Sequence, residues 1–204
     1  VISVPKHDGR SPRIDALSNI GRITAAARQA FRESAEATLS AIARRAGVGV
    51  ATLYRHFPNR ESLAGAVMEQ VFHEEVEPLL AAFSRTGARR EDLLDVADRV
   101  VQVLEGEWGV AASVGDLPAF AARHLAGREE LLQTVHRAQA AGNLRADLDV
   151  GDVPVLLAMV ITAPGVVNAE PASRRRYLSL LLDGLNPHHA EPLPARTDSE
   201  VSAS

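Results

Sequence analysis

Residues 38–63 read T-L-S-A-I-A-R-R-A-G-V-G-V-A-T-L-Y-R-H-F-P-N-R-E-S-L, and this stretch decides the fold. Thr38 is a good helix N-cap, because its side-chain oxygen can accept from an amide of the first turn. Ala41, Ile42 and Ala46 form the apolar face of that helix, and Gly47 stops it. Glycine enters the left-handed conformation of a tight turn without the roughly 1–2 kcal/mol that other residues incur. A second short helix is expected from about Val50 to Phe57, closed by Pro58. Ala43 is small enough for the two helices to approach closely, while Ile42, Ala46, Val48 and Leu53 clamp them together. The spacing Ala-x-x-x-Gly-x-x-x-x-x-Leu therefore builds two helices crossing at a steep angle, the second projecting so that it can enter a DNA major groove. An ordinary helical hairpin needs the same small residue and glycine, so spacing alone leaves both readings open.

Outward from this segment, apolar residues recur at three- and four-residue steps. Leu17, Ile20, Ile23, Ala27, Ala30 and Phe31 give a preceding helix over about 15–32. Asn59 caps a fourth helix carrying Leu63, Val67, Val71 and Phe72, with a kink or end expected near Pro78. Further helices are expected over 91–105, 117–125, 129–141, 153–163 and 172–185, with 106–115 ambiguous and a break at Pro164-Gly165. No alternating strand pattern persists, so the fold class is all-α. Four regions are expected: a flexible basic arm over 1–13, a three-helix DNA-binding domain over 14–58, a helical effector-binding and dimerisation domain over 59–186, and a disordered tail over 187–204.

Charge is divided along the chain. The 204 residues carry a formal −4, but residues 1–60 hold ten Lys/Arg against four Asp/Glu, and the remainder twelve against twenty-two. A basic head on an acidic body is the layout expected when only the head meets a polyanion. There is no cysteine, which excludes disulfides and cysteine-ligated zinc and fits a reducing cytoplasm. No apolar run approaches the length of a membrane span.

The quoted stretch, with the preceding I-T-A-A-A-R-Q-A-F, resembles the signature of the tetracycline-repressor (TetR) family of bacterial transcription regulators over about residues 15–70. The runs at 142–153 and 177–185 are similar to parts of that family's divergent C-terminal domain. Gly49 and Ala51 depart from the common family form, which has Ser and Gly there. The resemblance implies that Thr38 and Ser40 meet phosphates at the start of the second helix, with Arg44 and Arg45 adding charge nearby. It places Gly49, Val50, Ala51 and Thr52 against bases, Tyr54 and His56 on the DNA backbone, Arg55 on a phosphate or base edge, and Arg60 on a phosphate. Val50 and Ala51 offer only apolar contact, for example to a thymine methyl, and Thr52 adds a hydrogen bond.

The resemblance further implies a homodimer, a roughly palindromic double-stranded DNA operator and a small-molecule effector. The helix over 153–163 is apolar nearly all round, which independently calls for burial on two sides. Leu156, Val160, Leu178, Leu181, Leu182 and Leu185 are the expected dimer contacts, and Phe72, Trp108, Phe120, His124 and Met159 the expected effector contacts. No catalytic residue, cofactor or metal is expected. His73-Glu74-Glu75 lacks a second His four residues after His73, and His188-His189 falls in the tail. The competing readings are a transcriptional activator and a sequence-tolerant architectural DNA binder.

Overall fold

The computed structural model describes residues 12–86, 89–125, 127–162, 170–188 and 190–194, and all regular structure among them is helical. Residues 1–11 of the expected arm, the expected break at Pro164-Gly165 and the end of the tail lie outside the described residues, whereas Pro12 and Arg13 of that arm are helical. The chain divides into two compact units, one of residues 1–74 and 104–117, the other of 75–103 and 118–204.

The first unit contains α1 (Pro12–Glu33), α2 (Leu39–Ala46), α3 (Val50–His56), α4 (Arg60–Val71) and α7 (Trp108–Ser113). Helix α1 begins at Pro12, three residues before the periodicity, since proline is tolerated in a first turn where no amide partner is needed. Ile23, Ala27 and Phe31 of α1, Ile42, Ala43 and Ala46 of α2, Leu53 of α3 and Leu63, Val67 and Val71 of α4 are buried, with α1 packed on α2 and α4, and α2 on α3. Asn59 and Ser62 form a reciprocal capping box at the start of α4.

The segment 106–115, ambiguous in sequence, contributes α7. Its Gly109 lies so close to α1 that a Cβ there would sit 1.9 Å from the Phe31 carbonyl oxygen. The neighbouring Glu107 is only 1% exposed and accepts from Arg28 Nη2 at 2.6 Å and Nε at 2.9 Å, with Arg32 Nε at 3.4 Å. Backbone contact and buried ion pair together seat α7 on α1.

The irregularity expected near Pro78 falls just ahead of it. The chain passes from α4 through a π-turn over Phe72–Val76 into α5 (Glu77–Thr86). The wider turn just ahead of Pro78 relieves the clash that its ring would make with the carbonyl four residues earlier, so the helix continues.

The second unit contains α5, α6 (Arg90–Gly106, which passes into the first unit at its end), α8 (Leu117–Leu125), α9 (Glu129–Ala140), α10 (Asp152–Thr162) and α11 (Pro171–Gly184). Leu80, Phe83, Leu93, Leu94, Phe120, Leu131, Val135, Ala158 and Leu178 are buried in it. Arg174, itself buried, donates to Asp98 at 2.7 Å and ties α11 to α6. Arg128 holds Glu77 at 2.7 Å.

Part of the expected disordered tail is fixed. Arg145 forks onto Asp147 at 2.6 and 2.8 Å and also donates to the Glu191 carbonyl, while the Leu193 amide donates to Asp147 at 2.9 Å. The Arg145 guanidinium, and after it the Leu193 amide, hold the Asp147 carboxyl well below the usual aspartate value of 3.8. A depressed carboxylate contributes stability in full above its unfolded pKa and loses it only as pH falls through the folded one. The Leu193 amide resonance is therefore expected to stay in place between pH 6 and pH 3; a shift titrating with a midpoint near 3.8 would contradict the clamp.

Candidate nucleic-acid interface

The site is built on α2, the turn at Gly47 and α3. Thr38 caps α2 as its sequence implies, its Oγ1 accepting from the Ala41 amide at 3.2 Å. Gly47 adopts φ 64° and ψ 35°, and the amides of Gly47 and Val48 donate to the carbonyls of Arg44 and Ala43 at 3.1 and 3.0 Å. Arg22 of α1 closes this turn from the side, with Nε and Nη2 on the Ala46 carbonyl at 3.1 and 2.6 Å and Nη2 on the Gly47 carbonyl at 2.6 Å. Sequence reading missed Arg22, because its partners lie some 25 residues away and backbone carbonyls leave no trace in a sequence.

Helix α3 buries Leu53 and turns the opposite face outward. Val50 is 43% and Tyr54 47% exposed, with Ala51 and Arg55 exposed beside them. Gly49 is the α3 N-cap, in ordinary extended conformation, and offers no side-chain cap. A Cβ there would lie 3.7 Å from Thr52 Oγ1, an ordinary contact, so the serine of the common form would fit. Ser40 is exposed and Thr52 half-buried. Arg44 is exposed, while Arg45 pairs with Glu33 at 2.7 Å and thereby lowers the Glu33 pKa.

Arg60 and His56, expected on a phosphate and on the DNA backbone, have surroundings of their own in the first unit. Arg60 turns inward: it donates to the Ala35 and Ala37 carbonyls and to Ser113 Oγ at 2.9 Å, and its guanidinium lies 4.7 Å over the Phe31 ring. The carbonyls after α1 and the aromatic face engage the guanidinium in the free chain. His56 is half-buried, with Nε2 shielded from solvent and without a hydrogen-bond partner.

The expected effector contacts are distributed between the units. Phe72 is buried in the first, which also holds Trp108, an exposed residue at the start of α7. In the second unit Phe120 is buried, whereas Met159 stands 55% exposed on α10 and so does not line an interior there. The His124 side chain lies outside the described residues. A cleft of about 210 Å³ in the second unit is lined by other residues, among them Leu79, Phe83, Asp92, Asp95 and Arg99.

Of the expected dimer contacts, Leu178 is 1% exposed and belongs to the unit's own core. Leu156, Val160, Leu181, Leu182 and Leu185 are half-buried. The outward apolar positions are instead Met159, Tyr177 and Leu180, the last 57% exposed.

Two sequence profiles match the chain. That of the bacterial regulatory proteins, tetR family, covers residues 23–67, and that of the SbtR-like transcriptional regulator C-terminal domain covers 109–187; together they span more than half of it. The chain belongs to the TetR family.

As a TetR-family member it is a DNA-binding transcription regulator of the helix-turn-helix type. Family regulators are in general DNA-binding proteins without catalytic activity. Among solved structures, RolR in complex with its ligand resorcinol is similar with TM-score 0.59 and 20% identity, covering 82% of this chain and 96% of RolR. A TetR-family regulator from Mesorhizobium loti gives TM-score 0.55 at 17% identity, covering 83% of this chain and 96% of the other. These two likenesses show the TetR fold. A TetR regulator from Streptomyces coelicolor is 29% identical with TM-score 0.49, covering 83% of this chain and 99% of its own. No curated protein matches the chain. Among the described residues no helix is long and apolar enough to cross a membrane, and no group of three or more acidic, His or Cys side chains could hold a metal ion.

Proposed function

We propose that this TetR-family regulator is a homodimeric repressor that grips a roughly palindromic operator and is released by a small-molecule effector. Residues 14–58 read DNA, and 59–186 dimerise and take the effector. The observation that carries dimerisation is the exposure of the large apolar side chains Met159 on α10 and Tyr177 and Leu180 on α11. Positions 177, 180 and 184 share one side of a helix, and Gly184 leaves room for a close neighbour. Leu156, Val160, Leu181, Leu182 and Leu185, all half-buried, remain proposed dimer contacts.

The base-reading set is Gly49, Val50, Ala51 and Thr52, with Tyr54, Thr38 and Ser40 on the backbone and Arg55 on a phosphate or base edge; the outward face of α3 supports it. Dimerisation would set two such helices about one turn of DNA apart. Phe120 and His124, both in the second unit, remain proposed effector contacts.

Selection of bound duplexes from a random pool, repeated with candidate metabolites, tests the whole reading. An inverted repeat that is lost when a metabolite is added is the expected result. Retention of unrelated sequences would favour the sequence-tolerant binder, and activation from the selected site in a transcription assay would reverse the sign of regulation. Leu180→Asp is expected to weaken dimerisation about 100-fold, since it buries a charge at the interface. Light scattering checks this, and a wild-type monomer at micromolar concentration would refute the dimer. Tyr54→Ala is expected to weaken binding to the selected duplex about tenfold with an unchanged melting temperature, as seen by gel shift.

A further inference from the structure

The turn that aims α3 is held from outside the helix-turn-helix. The carbonyls of Ala46 and Gly47 stand at the C-terminal, electronegative end of α2, where a helix leaves acceptors without partners of its own. The neighbouring acceptors, on Ala43 and Arg44, are satisfied by the amides of Val48 and Gly47. Ala46 and Gly47 receive the guanidinium of Arg22, in three contacts of 2.6 to 3.1 Å. Charge-assisted hydrogen bonds of this kind are roughly twice as strong as neutral ones, and a planar fork fixes direction as well as distance.

Two further observations make this hold matter for α3. Helix α3 starts at Val50, and its N-cap Gly49 supplies no side-chain hydrogen bond, so its entry is not fixed by a local cap. A Cβ on Gly47 would lie 3.0 Å from Arg22 Nη2, so the guanidinium occupies the space that glycine leaves. The donors Nε and Nη2 are both spent on the turn, and Nη1 faces Asn19 Oδ1 at 3.5 Å.

We propose that Arg22 is a positioning residue for DNA reading: it fixes the Gly47 turn, and so the aim of α3, without itself holding a phosphate. The proposal rests on α3 being the helix that contacts DNA. Lysine at this place would keep the charge, but a single ammonium group cannot reproduce the fork across two carbonyls.

The test compares Arg22→Met and Arg22→Lys with the full-length wild-type chain. Hydrogen exchange of the free protein is read at the Gly47 and Val48 amides, with Ile23 and Leu63 as controls for the fold. Affinity is read by titration over a salt series, on a duplex selected by the wild type from a random pool and on a scrambled duplex. Both variants are expected to exchange about tenfold faster at Gly47 and Val48 with the controls unchanged, and to lose about tenfold in affinity for the selected duplex. Arg22→Lys is expected to keep the wild-type salt slope and its affinity for the scrambled duplex.

An Arg22→Lys variant within twofold of wild type, with an Arg22→Met slope flatter by about one unit, would make Arg22 a phosphate contact and overturn the proposal. Unchanged exchange at Gly47 and Val48 in both variants would overturn it as well. If Arg22→Met loosens the control amides too, Arg22→Lys decides. A wild-type protein that selects no sequence would defeat the DNA-reading premise, and the exchange data would still show whether Arg22 holds the turn.

Discussion

Gly109→Ala is expected to lower stability by about 3 kcal/mol or more and the melting temperature by about 6–12 °C. The added Cβ would lie 1.9 Å from the Phe31 carbonyl oxygen and 2.8 Å from its carbon. Both are backbone atoms of α1, so no flexible side chain can give way. Either α7 lifts or the end of α1 bends, and each movement pulls against the Arg28–Glu107–Arg32 cluster, whose carboxylate is almost fully buried. Gly106→Ala is the matched control, because a Cβ there meets nothing within 4 Å. Thermal unfolding followed by circular dichroism checks the pair, and equal melting temperatures would refute the close approach.

Arg60→Ala is expected to cost about 2–3 kcal/mol while leaving the salt dependence of DNA binding unchanged. The family resemblance implies the opposite pattern, a phosphate contact whose loss flattens the slope by about one unit and spares the fold. The geometry supports the first pattern. Arg60 holds the Ala35 and Ala37 carbonyls and Ser113 Oγ and covers the Phe31 ring, so its removal opens three acceptors and an aromatic face at once. Arg60→Lys should rescue little, since one ammonium cannot reach all three oxygens. Melting curves and a salt titration on the selected duplex, made below the lowered melting temperature, read both quantities. A flatter slope with an unshifted melting temperature would restore the phosphate contact.

The legible parts of this fold are those decided within one or two turns of chain. Thr38, Gly47 and the Asn59 cap appear where their side-chain chemistry requires, because a cap and its amide lie three residues apart. The all-helical class follows from apolar spacing alone. The less legible features depend on distant partners. Gly109 matters only because Phe31 passes beside it, and Arg60 turns inward only because Ala35, Ala37 and Ser113 leave oxygens open. Leu178 and Leu180 are both leucines of one apolar helix, so composition could not say that the first faces the core and the second faces outward. Pro78 was read by its usual local effect, which the preceding π-turn absorbs. In the candidate site, residue types pointed to the outward face of α3, whereas the hold on its turn came from α1.

The front of α3 has one more consequence. Gly49, Val50 and Ala51 present no side-chain hydrogen-bonding atom until Thr52 is reached, and Val50 stands exposed among them. On the proposed docking, such a surface senses the carbon substituents of a base edge rather than its polar pattern. Thymine and 5-methylcytosine then present the same group to it, and uracil and unmodified cytosine present the same gap. On that docking those steps would distinguish a methylated pyrimidine edge from an unmethylated one.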